Sequence, residues 1–200
     1  PLQEFLASRR VNAIVVGPGW IQQSLDQSAL NCLREFAAAG GRVVIDAGAL
    51  HGIANLILSD SPLPKGGFIL TPHQGEWLKL QDVAAQPPLT PEGAAGAISY
   101  AENLGCHIIY KNAAPIVISP DKTPPIICIA GSPVLSRAGS GDVLCGIIAA
   151  HLAAGCSMNL AATRSYSLLS RAAWMAAQDV GEDAVLASDI IARLGIANRI

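Results

Sequence analysis

Charged side chains are scarce in this chain of 200 residues. They make up 14% of it, and the formal net charge is −2, with no basic or acidic tract. The sequence therefore lacks the basic surface typical of nucleic-acid binding, and we expect no nucleic-acid partner. Long apolar runs are also missing, because Gly, Ser, His or a charge interrupts them before the roughly 18 residues of a membrane span. We expect no membrane partner, and small-molecule chemistry is the favoured class of function.

Cysteine spacings typical of metal sites or disulfides are absent as well. The five cysteines, at positions 32, 106, 128, 145 and 156, form no C-x-x-C pair and have no metal-ligand spacing with the four histidines. We interpret them as reduced, buried, small apolar residues and predict no protein metal-ligand set. No charged segment followed by an apolar core opens the chain, which begins at Pro1, so a cytoplasmic location is expected.

What is present is an alternation of apolar runs with helical patterns, which predicts a parallel sheet covered on both faces. The predicted strands are 11–16, 42–45, 67–70, 107–110, 115–119 and 126–129, and the last two form a hairpin or edge pair. The predicted helices are 24–39, one near Glu76, 90–104, 142–154, 160–180 and a short one capped by Ser188. We interpret residues 1–200 as a single three-layer α/β/α domain.

The most informative segment is Gly139-Ser140-Gly141-Asp142, which opens an apolar helix. Its glycines allow close approach of a ligand, and the unpaired N–H groups and positive dipole end of the helix attract anions. Asp142, in the first turn, could accept a proton from a substrate hydroxyl beside a bound phosphate. An ordinary helix cap by Ser140 or Asp142 explains these residues equally well.

Other residues that are hard to explain structurally also follow predicted strands, where an open α/β sheet has its ligand crevice: Gly17-Pro18-Gly19, Asp46, Thr71-Pro72-His73 and Lys111-Asn112. Each has a structural alternative. The glycines suit a turn, Asp46 is more often a helix cap than a ligand, and Lys111 could be a solvated edge charge. His73 could cap a helix, but a ligand role is slightly favoured.

The order of these motifs resembles the ribokinase-like NAD(P)H-hydrate dehydratases. Matching segments are residues 16–19, 44–47 with 49–50, 70–73 with 75–76, the Lys111 loop, 139–144 and 186–191. The glycine-aspartate motif belongs to the wider kinase superfamily, whereas Thr71-Pro72-His73 followed by Gly75-Glu76 is much more specific.

The resemblance implies a ribokinase-like fold with a mostly parallel sheet, and an enzyme that dehydrates hydrated NADH or NADPH (NADHX or NADPHX). The expected cofactors are ADP or ATP and Mg²⁺. Asp142 is implied as the catalytic base, and the hydrated dinucleotide would meet Gly17, Gly19, His73 and Asp142. The implied nucleotide-binding residues are Lys111, Asn112, Ala113, Ala114, Pro115, Gly139, Ser140 and Gly141.

Several positions depart from the family's usual pattern. At six positions the family usually has a second acid at 48, proline at 74, glycine at 112, threonine at 115, glycine at 134 and threonine at 137. This chain has instead Gly48, Gln74, Asn112, Pro115, Val134 and Arg137. Arg137 would either contact phosphate or plug the nucleotide site. The family's N-terminal glycine-rich strand and helix also have no counterpart here. An exposed sheet edge would need cover, so we expect a homo-oligomer or association with a missing N-terminal segment.

Two other functions stay open. A small-molecule kinase of the ribokinase superfamily would use the same loop and base on a sugar, hydroxymethylpyrimidine or thiazole alcohol. A non-catalytic nucleotide-binding or structural relative would explain the departures from the family's pattern.

Overall fold

Six strands form one sheet in the order in which they occur along the chain. The computed structural model describes residues 4–6, 9–20, 25–57, 63–80, 94–129 and 131–199. The strands are β1 (Ala13–Val16), β2 (Arg42–Ile45), β3 (Phe68–Leu70), β4 (His107–Tyr110), β5 (Ile116–Ile118) and β6 (Ile126–Ile127). β1 to β4 are parallel, while β5 and β6 are antiparallel to their neighbours. The predicted mostly parallel sheet and the edge pair are confirmed.

The helices that accompany the sheet are α1 (Gln27–Ala38), α2 (Gly48–Ile57), α3 (Gln74–Leu80), α4 (Ala94–Leu104), α5 (Ser140–Ala153), α6 (Met158–Val180) and α7 (Ala187–Ala197). The sequence patterns do not predict α2, because glycines at 48 and 52 lower its helix propensity. The predicted start of α4 at residue 90 lies outside the described residues. The cap predicted at Ser188 is wrong: α7 begins one residue earlier, and Asp189 accepts the N–H of Leu186 instead (2.9 Å).

Alternate residues of each central strand enter two separate cores, as the two-residue period of a strand requires. In β2, Val43 and Ile45 pack with helices α1 to α4, whereas Val44 packs with α5, α6 and α7. Both faces of the sheet are therefore covered, which explains why its strands are almost continuously apolar. The predicted three-layer α/β/α architecture is confirmed.

Helix α5 packs on the sheet beside the other helices of its layer. It contacts β1, β2 and α6, and seven of its residues are buried. This position explains why its sequence is apolar around most of its circumference. The N-terminus of α5 reaches the carboxyl ends of the parallel strands, because Cys145 in its second turn contacts Asp46 directly after β2. In the described part of the chain, no helix combines the length and apolar character needed to cross a membrane.

Candidate active site

A cavity of about 840 Å³ opens where β2, β3 and β4 end and α5 begins. Asp46, His73 and Lys111 each follow one of these strands and line it, and Gly139 to Asp142 form another wall. The carboxyl ends of parallel strands meet at one edge of a sheet, which is why residues far apart in sequence converge here. The structure therefore brings together His73, Asp142, Lys111 and most of the predicted nucleotide-binding residues.

Residues 139–142, called the anion loop below, leave backbone donors open to the cavity. Gly139 has φ +87°, a conformation that favours glycine, and precedes the first turn of α5. The Ser140 hydroxyl donates to the Leu135 carbonyl (2.6 Å), so it does not cap the helix. Among the described residues, no protein acceptor lies within reach of the N–H groups of Gly141 and Asp142. The cap interpretation is therefore wrong, and the loop has the free donors that an anion site needs.

Asp142 lies in the first turn of α5 and is exposed. Its carboxylate has no hydrogen bond or ion pair with any other described side chain, and it lines the cavity. A carboxylate placed beside free backbone donors can accept a proton from a hydroxyl that is held next to a bound phosphate. The position of Asp142 therefore fits the role of a general base.

The Lys111 ammonium forms an ion pair with the buried Asp46. Lys111 Nζ lies 2.6 Å from Asp46 Oδ1, and the side chains are 21% and 3% exposed. Cys145 donates its S–H to Asp46 Oδ2 (3.3 Å); burial above all, and the adjacent Asp46 carboxylate, raise the pKa of this thiol. Two interpretations are thus wrong: Asp46 is not a side-chain helix cap, and Lys111 is not a solvated charge. Cys145 is a buried free thiol as expected, and it also donates a hydrogen bond.

His73 both caps α3 and faces the cavity. Its Nδ1 accepts the N–H groups of Gly75 (3.0 Å) and Glu76 (3.3 Å), and the His73 N–H donates to Glu76 Oε2 (2.8 Å). Nδ1 is therefore the unprotonated nitrogen, which leaves hydrogen on Nε2, 3.4 Å from Glu76 Oε1. The helix-cap alternative is confirmed, while the ring, 59% exposed, remains accessible as a hydrogen-bond donor. Glu76, singled out only as part of a motif, orients this histidine.

The segment after Lys111 is shaped by a local side-chain contact. Asn112 Oδ1 accepts the N–H of Ala114 (2.9 Å), an Asx turn that holds the loop without the family's glycine. Asn112, Ala113 and Pro115 line the cavity, whereas Ala114 does not. The loop thus keeps a defined conformation despite its unusual sequence.

Gly17 and Gly19 do not line the main cavity. Gly17, with φ +113°, packs against the Asp46 carbonyl and lines a smaller apolar cavity of about 540 Å³ beside β1, together with Trp20 and Leu25. Gly19, with φ +78°, has no atom within 4 Å of the place of a Cβ. A tight turn explains both glycines, and their predicted contact with a substrate remains a prediction.

Two departures from the family's pattern have a structural explanation. An added Cβ at Gly48 would lie 2.5 Å from the Trp20 carbonyl oxygen, so Trp20 fills the place of a second acid. The Arg137 guanidinium turns to the Glu182 carbonyl (3.1 Å) and to Asp183 (3.5 Å). Arg137 therefore lies on the wall of a cavity that remains open, and the interpretation as a plug is wrong.

Several known proteins are similar in sequence to this chain. The sequence model of a family described as NAD(P)H-hydrate dehydratase matches residues 2–194. The chain is 33% identical over 180 residues to an ADP-dependent (S)-NAD(P)H-hydrate dehydratase of Xanthomonas campestris, covering 90% of this chain and 58% of that protein. It is 31% identical over 195 residues to a bifunctional NAD(P)H-hydrate repair enzyme of Moorella thermoacetica, covering 96% of this chain and 35% of that protein.

A solved structure is similar over most of the chain. The ADP/ATP-dependent NAD(P)H-hydrate dehydratase of Bacillus subtilis, co-crystallised with ATP/Mg²⁺, superposes with a TM-score of 0.74 at 25% identity, covering 94% of this chain and 64% of that one. Three curated bifunctional relatives are much longer, and the chain spans 26% to 36% of their length. From the family match over nearly all of its residues, we conclude that the chain belongs to the NAD(P)H-hydrate dehydratase family.

Proposed function

We propose that this protein dehydrates hydrated NADH or NADPH with the help of ADP or ATP. The observation that carries the proposal is the position of Asp142, an exposed carboxylate in the same cavity as the free N–H groups of the anion loop and the Lys111 ammonium. A base, a set of anion donors and a cation in one cavity are what phosphorylation of a hydroxyl requires. Family membership supports the same reaction.

In the proposed reaction, Asp142 accepts the proton of the substrate hydroxyl. The hydroxyl oxygen then forms a bond to the terminal phosphorus of the nucleotide, whose bond to the bridging oxygen breaks, and ADP or AMP leaves. In the second step the carbon–oxygen bond breaks, the adjacent ring carbon releases a proton, and inorganic phosphate leaves as the double bond forms. The anion loop would hold the charge that develops on the phosphoryl oxygens.

His73 is suited to orient the substrate rather than to act as a base. Its Nδ1 accepts the N–H groups at the start of α3, so Nε2–H is the ring group left to donate to a ligand. Such a donor can bind a carbonyl or phosphate oxygen of the hydrated dinucleotide.

Magnesium would arrive with the nucleotide. Within the described ranges, no three His, Cys, Asp or Glu side chains form a metal site. Mg²⁺ is commonly held by substrate phosphates, waters and one or two carboxylates, and Glu76 at the cavity wall fits that pattern. When bound, the ion would neutralise charge on the transferring phosphoryl group.

The test is recovery of reduced cofactor from its hydrate. Purified protein with hydrated NADH, Mg²⁺ and ADP or ATP is expected to restore the near-ultraviolet absorbance of NADH, and Asp142→Asn is expected to lower the rate at least a hundredfold. Asp121→Asn is the matched control, because Asp121 lies in the β5–β6 turn and does not line the cavity. No gain above a protein-free blank would contradict the proposal.

The same assay separates the alternative functions. A small-molecule kinase would release a stable phosphorylated alcohol from a substrate panel and restore no NADH. A non-catalytic relative would give neither product, and calorimetry would then show whether it still binds a nucleotide.

Self-association is also proposed. β1 pairs with β2 on one side, and among the described strands none pairs with its other edge. The apolar cavity beside this edge supports contact with a second copy, because unpaired strand edges readily extend a sheet. Light scattering is expected to give a dimer or higher oligomer, and a monomer would contradict this.

All five cysteines are free thiols, which supports a reducing compartment such as the cytoplasm.

A further inference from the structure

We propose that Asp46 is a positioning residue for phosphoryl transfer, which fixes the Lys111 ammonium beside the anion loop and is itself held by Cys145. This inference rests on the proposed nucleotide-dependent function. In this proposal the Asp46 carboxylate binds Lys111 and Cys145, and it does not bind the magnesium ion.

The first support is the burial of Asp46. Its side chain is 3% exposed, and an isolated carboxylate at such a place would be very unfavourable. Both oxygens have a donor: Lys111 Nζ on Oδ1 at 2.6 Å and Cys145 Sγ on Oδ2 at 3.3 Å. The carboxylate therefore already has the partners that its burial requires.

The second support is the position of the Lys111 ammonium. A Cβ added at Gly141 would lie 3.5 Å from Lys111 Nζ and 3.6 Å from Asp46 Oδ2, so the ion pair lies directly against the anion loop. An ammonium has three hydrogens, and Asp46 accepts one of them. Glu76 Oε2 is 3.9 Å away, beyond hydrogen-bond distance, so the other two can serve a phosphate in the cavity.

The third support is that Lys111 is fixed at both ends. Its backbone N–H donates to the Pro72 carbonyl (2.8 Å), which ties it to the segment after β3. Its side chain is tied to Asp46 after β2. A lysine held in this way loses less side-chain entropy when a phosphate binds than a lysine with a freely moving side chain.

Cys145 supports the carboxylate from the side of α5. Its raised pKa keeps it as a thiol, so it has one hydrogen to donate, and the buried Thr71 hydroxyl lies 3.6 Å from its sulfur. The Thr71 hydroxyl donates its one hydrogen to the Ile45 carbonyl (3.3 Å), so it packs against the sulfur while the S–H group donates to Asp46. The S–H group thereby orients Asp46 Oδ1 towards Lys111.

A double-mutant cycle tests the inference through nucleotide binding. The dissociation constant of ATP with Mg²⁺ is measured by calorimetry for the wild type, Asp46→Asn, Lys111→Met and the double variant. We expect Lys111→Met to weaken binding about tenfold or more and Asp46→Asn to weaken it about fivefold. In the Lys111→Met background, Asp46→Asn is expected to change the constant by less than about twofold, because Asp46 acts through Lys111.

Two outcomes would overturn the inference. An undiminished effect of Asp46→Asn in the Lys111→Met background, relieved by added Mg²⁺, would mean that Asp46 binds the metal. If the wild type bound neither ATP nor ADP, Lys111 would have no phosphate to bind, and the positioning role of Asp46 would be wrong. Binding that follows the cycle in a protein that restores no NADH would overturn the dehydratase function and keep the positioning role.

A second pair of variants leaves the ion pair intact, in case Asp46→Asn fails to fold. Cys145→Ala removes the donor to Asp46 Oδ2, whereas Cys145→Ser keeps one. We expect Cys145→Ala to weaken ATP binding about threefold and Cys145→Ser to keep most of the affinity. Equal ATP dissociation constants for Cys145→Ala and Cys145→Ser would contradict the role of the S–H group as a donor to Asp46.

Discussion

Gly17 is the position where a single added methyl group should do most harm. Its φ is +113°, and a Cβ there would lie 1.8 Å from the Asp46 carbonyl oxygen and 2.8 Å from Ala49 Cβ. The backbone conformation alone costs an L-residue about 1–3 kcal/mol. Relief of the overlap by moving the start of α2 adds about 1–3 kcal/mol. We therefore expect Gly17→Ala to lower the free energy of unfolding by about 4 kcal/mol.

Gly19→Ala is the matched control, two residues away in the same turn. Gly19 also has positive φ, +78°, but no atom lies within 4 Å of its Cβ position, so only the conformational term of about 1 kcal/mol remains. Urea unfolding at pH 7 measures both variants. Equal losses for Gly17→Ala and Gly19→Ala would refute the claim that contact with the Asp46 carbonyl demands glycine at position 17.

Two further predictions concern Gly48 and His107. Gly48→Ala and Gly48→Asp should each lower the free energy of unfolding by about 1–3 kcal/mol, because the overlap with Trp20 begins at Cβ; urea unfolding that tolerates either change would contradict this. Burial lowers the pKa of His107 from 6.5 to about 4 in the folded protein. The unfolded chain therefore takes up this proton at a higher pH, so the free energy of unfolding is highest above pH 6.5 and decreases as the pH falls to 4. The decrease in the free energy of unfolding reaches about 3 kcal/mol. His107→Phe should abolish this part of the pH dependence of thermal unfolding. An unchanged pH dependence in the variant would exclude His107 as the cause.

Local sequence was enough to predict most of the fold. The strands around 42–45 and 107–110 match the structure at both ends, because each contains a short apolar run between a preceding glycine and a following polar residue. The helix predicted over 142–154 was predictable from the glycines before it and from its apolar length, and it begins two residues earlier, at Ser140. Segment 48–57 was not, because its glycines favour a loop by propensity and only packing against the sheet makes it a helix.

The candidate site was predictable by position but not by contact. Strand ends identify Asp46 and Lys111 as neighbours of the crevice, yet no local pattern states that residues 65 apart form an ion pair. The link from Cys145 to Asp46 spans 99 residues and depends on how α5 lies over β2. Trp20 above Gly48 is another long-range contact, which replaces a side chain that the family pattern places there.

Helix α5 has a consequence for any attempt to change the substrate. Asp142 and Cys145 are three residues apart, about one turn, so the proposed base and the donor to Asp46 move together as one rigid piece. A shift or rotation of α5 that aimed Asp142 at a different hydroxyl would also withdraw the S–H group from Asp46. Substrate preference is therefore more easily altered on the loops that face Asp142 than by moving the helix that carries it.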